Sequence, residues 1–179
     1  MTHFARVQTR EQIVDVVNLA REIWTDHYVP IIGQEQVDYM LARFQSEEAI
    51  VNQLADGYEY YTVSHNNMSV GYMAIVPKAG LLMISKIYVL KSGRGHGFGR
   101  SMMEFAEDLC RQRRISTLWL TVNKNNSHSL AWYRRMGFKN AGSTIQDVGS
   151  GFVMDDYRME KTLDRKSSVG DALQTQSAR

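Results

Sequence analysis

The stretch Arg94-Gly95-His96-Gly97-Phe98-Gly99 decides how this chain folds and what it binds. It follows an apolar run, Leu81 to Leu90, and opens an amphipathic one, Phe98 to Leu109. A glycine-rich turn between a strand and a helix exposes backbone N–H groups, and the helix N-terminus adds a partial positive charge. The loop therefore predicts a binding site for a ligand that carries phosphate.

Two common phosphate-binding motifs do not fit the spacing of these glycines. The dinucleotide motif G-x-G-x-x-G would place its third glycine on Phe98 if counted from Gly93, and on Arg100 if counted from Gly95. The Walker A motif requires a lysine after its last glycine, and none follows here. The remaining pattern, R-x-x-G-x-G, could cradle a pyrophosphate, and a flexible glycine turn is the simpler alternative.

A second motif, Asn126 to Phe138, reads N-x-x-S-x-x-W-Y-x-x-x-G-F. Together the two segments resemble motifs A and B of the GNAT superfamily of N-acetyltransferases, V-x-P-x-x-R-G-x-G-x-G followed by N-x-x-A/S-x-x-x-Y-x-K-x-G-F. Val89 lies five residues before Arg94, as the first pattern requires. The resemblance covers roughly Phe4 to Leu163, and the two motifs in order are far more specific than either motif alone.

A more detailed resemblance is to bacterial polyamine N-acetyltransferases. It depends on four segments: Trp24-Thr25-Asp26-His27-Tyr28, the stretch from Tyr60 to Ala74, Trp119-Leu120-Thr121-Val122, and Met159-Glu160-Lys161-Thr162-Leu163.

Composition narrows the class of protein. The chain has 179 residues, enough for one domain with a substantial core, and its formal charge of +2 is too small to indicate nucleic-acid binding. The single cysteine, Cys110, excludes an internal disulfide and suits a cytoplasmic protein. No long apolar run begins the chain, so we expect no signal peptide and no membrane span. The five histidines are scattered, so we predict no metal site.

The order of periodic segments predicts an α/β (α+β) single domain over residues 1–163, with a mixed central sheet of about seven strands flanked by helices. Thr9 and Gln12 form a predicted capping box at the start of the first helix, which Pro30 and Gly33 should end. A β-hairpin is expected around Gly149-Ser150-Gly151. Residues 164–179 are polar and aperiodic, so we predict a disordered tail. A homodimer is possible.

The resemblance implies how coenzyme A would bind. Backbone N–H groups from Gly95 to Arg100 would hold the pyrophosphate, and the strand before the loop would pair with the pantetheine arm. Asn126 would contact pantetheine, although it could equally cap the following helix. The cofactor-binding residues predicted in this way are Ile87, Tyr88, Val89, Arg94, Gly95, His96, Gly97, Phe98, Gly99, Arg100, Asn126 and Ser129.

Tyr133 occupies the position where the family carries its general acid. A phenol with a pKa of about 10 stays protonated at neutral pH and can donate to a thiolate whose pKa is about 8.5. A tyrosine packed against the sheet is the alternative. The base is open, because Ser85 stands where many family members carry glutamate. Three alternatives are open for the base. The first is a water molecule held by Ser85, the second is the side chain of Asp26 or His27, and the third is the side chain of Asp155 or Asp156.

These observations predict direct transfer of an acetyl group from acetyl-CoA to a primary amine in a ternary complex. Cys110 falls on an apolar helix stripe and is predicted to be structural rather than nucleophilic. A polyamine is the predicted acceptor, and Trp24, Asp26 and Tyr28 are the predicted residues that bind it. Acetylation of a protein N-terminus or lysine, and a non-catalytic acyl-CoA-binding regulator, remain alternatives.

Overall fold

The computed structural model describes residues 1–163, and the predicted tail at 164–179 lies outside the described residues. Seven strands and five α-helices make up the described part. They are β1 (Thr2–Arg6), α1 (Arg10–Ile32), α2 (Gln34–Phe44), α3 (Glu47–Ala55), β2 (Glu59–His65), β3 (Met68–Lys78), β4 (Leu81–Val89), α4 (Phe98–Gln112), β5 (Thr117–Asn123), α5 (Ser127–Arg135), β6 (Lys139–Gly149) and β7 (Phe152–Thr162).

All seven strands form one sheet in the order β1-β2-β3-β4-β5-β7-β6. Every neighbouring pair is antiparallel except β4 and β5, which are parallel and connected through α4. The predicted mixed sheet of about seven strands is therefore confirmed.

Helices cover both faces of this sheet and bury two apolar cores. On one face, α4 and α5 pack through residues such as Met102, Met103 and Leu130 against Leu118 and Leu120 of β5. On the other face, α1, α2 and α3 form the second core. Its buried members are Val7, Ile13, Val16, Leu19, Ala20, Ile23, Trp24, Val37, Met40, Ile50, Tyr60, Tyr72, Ala74 and Val148.

The parallel contact between β4 and β5 is short. Only the pairs Leu82–Leu118 and Met83–Trp119 are in register, although both strands continue well beyond them. In the same place β4 carries a bulge, because Ile84 and Lys86 face consecutive residues of β3 and leave Ser85 as the extra residue. A bulge bends its strand and increases its twist. The two strands consequently diverge and leave an open wedge in the middle of the sheet.

One predicted boundary is corrected. Pro30 lies inside α1 rather than at its end, and Gly33, with a φ of 84°, ends the helix by donating its N–H to the carbonyl of Val29 at 3.0 Å. A proline in the last turn removes a single hydrogen-bond donor, so the helix continues past it to Ile32.

The capping box at the start of α1 is present and gives a test of the fold. Thr9 Oγ1 accepts from Gln12 N at 3.4 Å, and Gln12 Oε1 accepts from Thr9 N at 3.1 Å. Thr9→Ala should lower the free energy of unfolding by about 1 kcal/mol, measured by urea denaturation, because one helix N–H loses its acceptor. Thr9→Ser, which keeps the acceptor, is the control, and its free energy of unfolding should stay within a few tenths of a kcal/mol of the wild-type value.

Candidate active site

The wedge between β4 and β5 opens into a cavity of about 730 Å³. Five segments supply its walls: the end of α1, the second half of β4, the glycine loop with the start of α4, the middle of β5, and the start of α5. The cavity therefore lies where the chain passes from the carboxyl ends of two parallel strands into helices, the usual place for a ligand in an α/β fold.

The glycine loop presents a bare helix N-terminus to this cavity. Gly95 and Gly97 have φ values of 84° and 83°, a conformation that glycine adopts without strain. Gly97 is the N-cap of α4 and no side chain caps the helix there. A Cβ added at Gly95 or Gly97 would meet no atom within 4 Å, so the space in front of the loop is open. This arrangement fits a pyrophosphate held by helix N–H groups.

Arg94 is tied to α1 rather than free in the loop. Its Nη1 lies 3.2 Å from Asp26 Oδ2, and Lys91 Nζ lies 3.0 Å from Asp26 Oδ1. The hydrogen bond from Lys91 lowers the pKa of Asp26, so this carboxylate is ionised and already paired. Asp26 therefore holds the two cations that flank the loop, and it does not reach the cavity wall.

Asn126 connects α5 to α1 across the mouth of the wedge. Its Oδ1 accepts from Ser129 N at 3.2 Å and caps α5, as the capping interpretation expects. Its Nδ2 lies 3.1 Å from His27 Nε2. Burial, followed by the charge of Arg94, lowers the pKa of His27, so the neutral ring accepts this hydrogen bond.

Tyr133 faces the cavity from α5 and is 9% exposed. Burial raises its pKa, which keeps the phenol protonated. Tyr28 and Tyr88 line the cavity from α1 and β4, with ring centroids 6.2 Å apart, and Trp24 packs 4.5 Å from Tyr28 on the side away from the cavity wall. The cavity thus combines an uncapped helix N-terminus with an aromatic end, formed by Tyr28, Tyr88 and the protonated phenol of Tyr133.

Comparison with known proteins decides the family. The model of the acetyltransferase (GNAT) family matches residues 16–138, which include the glycine loop and α5. The chain belongs to the acetyltransferase (GNAT) family. It is therefore an acyltransferase of the N-acetyltransferase type, with acetyl-CoA as the acyl donor.

Three known proteins illustrate how the chain relates to other GNAT acetyltransferases. It is 34% identical to streptothricin acetyltransferase of Streptomyces lavendulae over 98 residues, which span about half of each protein (54% of this chain, 52% of the relative). It is 20% identical to spermidine N(1)-acetyltransferase of Thermoplasma acidophilum over 151 residues, 81% of this chain and 91% of the relative. The crystal structure of PaiA N-acetyltransferase from Thermoplasma acidophilum, in complex with coenzyme A, matches with a TM-score of 0.74 at 17% identity, covering 90% of this chain and 99% of that one. This structural likeness shows the fold.

Most of the residues predicted for this GNAT site meet at the cavity. Those on its wall are Tyr28, Ile87, Tyr88, Val89, Arg94, Gly95, Gly97, Phe98, Gly99, Arg100, Asn126, Ser129 and Tyr133. The structure does not bring His96, Trp24 or Asp26 to the wall. His96 is exposed and turns its Nδ1 to Arg94 O at 3.1 Å, Trp24 is buried beneath Tyr28, and Asp26 is paired with Arg94 and Lys91.

Several wall residues were missed by sequence reasoning. They are Ile23, Ile84, Lys86, Gly93, Leu120, Thr121, Val122, His128 and Trp132. Leu120, Thr121 and Val122 of β5 reach the wall because β4 and β5 diverge, and no local sequence pattern encodes that divergence. Lys86 did carry a signal, because it is the one charged side chain in the apolar run that precedes the loop.

The candidate bases differ in their surroundings. Ser85 lies in the bulge and lines the cavity, whereas Asp155 is exposed and forms an ion pair with Lys124. Asp156 is 6% exposed, and its Oδ1 has no hydrogen-bond partner among the described residues.

Within residues 1–163 no group of three potential ligands could hold a metal ion, and no helix of that part is long and apolar enough to cross a membrane.

Lys86 is buried in the wall of the cavity without a carboxylate partner among the described residues. Its Nζ donates to Gln53 Oε1 at 2.7 Å and lies 5.1 Å from the centroid of the Tyr60 ring. Burial lowers the pKa of Lys86 to about 7 from its ordinary value of 10.5. The folded protein therefore favours the neutral amine.

The buried amine predicts how stability depends on pH. Between about pH 7 and 10.5 the unfolded chain binds the Lys86 proton more strongly than the folded chain does, so stability should rise with pH in that window. Lys86→Met should flatten the rise and stabilise the protein at pH 7, measured by urea denaturation from pH 7 to 10. The exposed Lys78→Met is the control and should keep the wild-type slope.

Proposed function

We propose that this chain acetylates a primary amine that attacks acetyl-CoA directly in a ternary complex, and that a cationic amine such as a polyamine is the acceptor. The observation that carries the proposal is the wedge itself, which brings an uncapped helix N-terminus, a buried tyrosine and aromatic rings to the wall of one cavity. A thioester donor threaded through such a wedge would place its phosphates at the helix N-terminus and its acyl group beside the aromatic side chains.

The donor would be held mainly by the backbone. N–H groups at the start of α4 would bind the pyrophosphate, and the unpaired edge of β4 at Ile87 to Val89 would pair with the pantetheine amides. An N–H of that strand would also polarise the thioester carbonyl as negative charge develops on its oxygen. Asn126, which keeps one amide proton for a ligand after its contact with His27, would bind pantetheine.

Tyr133 would act as the general acid. The amine nitrogen attacks the thioester carbon, the C–N bond forms, the C–S bond breaks, and the departing thiolate takes a proton. A phenol whose pKa is raised by burial holds its proton until a strong acceptor forms beside it. Cys110 is buried and burial raises its thiol pKa to about 11, so it does not offer a thiolate for an acyl-enzyme route.

Support for a polyamine acceptor comes from two sources. The chain resembles spermidine N(1)-acetyltransferase over most of its length, and the aromatic end of its cavity suits an ammonium group. Streptothricin acetyltransferase, similar over about half its length, is named for a different acceptor. Because of these two names, small amines are the first class of acceptor to test.

A panel of acceptors tests the activity. Thiol release from acetyl-CoA should be fastest with spermidine or spermine and slower with streptothricin, amino acids and peptides. Equal thiol release with and without polyamines would remove them as acceptors, and release only with peptides would favour protein acetylation. Coenzyme A binding without transfer to any amine would favour a regulator over an enzyme.

Gly97→Val tests the donor site. The valine would be strained at a φ of 83° and would occupy the open space before α4, so coenzyme A binding should be lost in titration calorimetry. Gly80→Val is a matched control, because Gly80 has a φ of 76° and open surroundings but lies in the β3–β4 turn outside the cavity wall. Normal binding by the Gly97 variant would refute the pyrophosphate assignment.

Tyr133→Phe tests the acid. Removal of the hydroxyl should lower kcat by about 10²-fold, with little change in the dissociation constant of acetyl-CoA, because the ring remains and only the proton donor is lost. Tyr157→Phe, a half-buried tyrosine outside the cavity wall, should leave both quantities unchanged. An unchanged kcat in the Tyr133 variant would assign the donated proton to another group.

A further inference from the structure

Asp156 is the buried carboxylate for which the described part of the chain supplies no cation. The other buried acid, Glu107, pairs with Lys161 Nζ at 2.6 Å and with Arg111 Nη2 at 3.1 Å. Asp156 takes part in no ion pair with residues 1–163, and its Oδ1 has no hydrogen-bond donor there. A buried charge without a partner is costly, and a cationic ligand is one way to compensate it.

The cations close to Asp156 are engaged elsewhere. Lys124, which follows the end of β5, pairs with the exposed Asp155. Arg158, two residues along β7, donates to Glu160 at 2.7 Å and stacks over the Trp119 ring at 4.2 Å. Burial raises the pKa of Asp156, a hydrogen bond from the Thr121 side chain lowers it, and the charges of Asp155 and Lys124 act in opposite directions. None of these groups neutralises the carboxylate.

The position of Asp156 connects it to the cavity. In the β5–β7 pairing Asp156 faces Asn123, and Thr121 faces Arg158, so Asp156 and Thr121 lie on the same face of the sheet. That is the face covered by α1. Burial raises the pKa of Tyr28 on that helix, and the nearby charge of Asp156 raises it further. Tyr28 and Thr121 both line the cavity. Asp156 is not itself on the cavity wall, so the carboxylate lies behind Tyr28 and Thr121.

We propose that Asp156 supplies the counter-charge for the ammonium group of the acceptor and takes one proton from it through the hydroxyl of Thr121, which lines the cavity on the same face of the sheet. Such a role rests on the proposed acetylation of an amine, and it supplies the base that Ser85 does not. An ammonium between Thr121 and the faces of Tyr28 and Tyr88 would gain aromatic contacts and the nearby counter-charge of Asp156 together.

The proton balance of this step closes without another reactant. The Thr121 hydroxyl takes one proton from R–NH₃⁺ as it gives its own to the carboxylate, and the neutral amine attacks the thioester carbon. The C–N bond forms and the C–S bond breaks, Tyr133 protonates the departing thiolate, and the second nitrogen proton restores the Tyr133 phenol. The products are the acetamide, free coenzyme A thiol and one proton, which Asp156 returns to solvent. Burial raises the pKa of Asp156, which makes it a stronger base than an exposed aspartate.

Asp156→Asn removes the charge and keeps the shape of the side chain. With a primary alkylamine at pH 7, kcat/KM should fall by about 10²-fold, while the calorimetric dissociation constant of coenzyme A should not change. The deficit should shrink as the pH approaches about 10, where the amine loses its proton unaided. An arylamine, already neutral at pH 7, should lose little activity in the variant.

Three comparisons make the result decisive. Asp108→Asn removes an exposed carboxylate from α4 and should retain wild-type kinetics. Asp156→Ser gives the same measurement if asparagine disturbs β7. Wild-type kcat/KM in a folded Asp156 variant, or a loss carried by Asp155→Asn instead, would overturn the assignment while the acetyltransferase proposal stands. A wild-type chain that binds coenzyme A but acetylates no amine overturns both.

Discussion

The short contact between β4 and β5 is the constraint on which the rest of this structure depends. Only two residue pairs join these strands, and the bulge at Ser85 turns β4 away immediately afterwards. Every other neighbouring pair in the sheet is antiparallel and longer, so the opening occurs at the one parallel junction. The divergence exposes backbone groups of β4 and aligns the glycine loop, α5 and the end of α1 around one cavity.

Local sequence patterns predicted those parts of the molecule whose conformation is set by nearby residues. The capping box at Thr9 follows from side-chain and backbone chemistry within a few positions. The loop from Gly95 to Gly99 was found because glycine spacing is itself the signal. The first helix ends at Gly33 and not at Pro30, since a proline in a last turn removes only one donor.

The missed features depend on contacts between distant segments. Thr121 reaches the cavity because β5 leaves β4, and Lys86 is buried because α3 supplies Gln53 above it. Asp155 and Asp156 look equivalent in the sequence. Their register with β5 and β6 decides that one is exposed beside Lys124 and the other is enclosed beneath Tyr28. Telling Asp155 from Asp156 therefore requires the order and register of the strands, which depend on the assembled sheet.

Asp26 links the segment around the glycine loop to α1 through two ion pairs. The same carboxylate holds Lys91 and Arg94, the cations that flank the phosphate loop, and it belongs to the helix that carries His27 and Tyr28. A phosphate bound in front of the loop would compete with Asp26 for these cations, so the donor affinity would include the free energy of breaking both ion pairs. Breaking them would also remove the link between the loop and α1, whose His27 and Tyr28 line the same cavity, and so would couple donor binding to that helix.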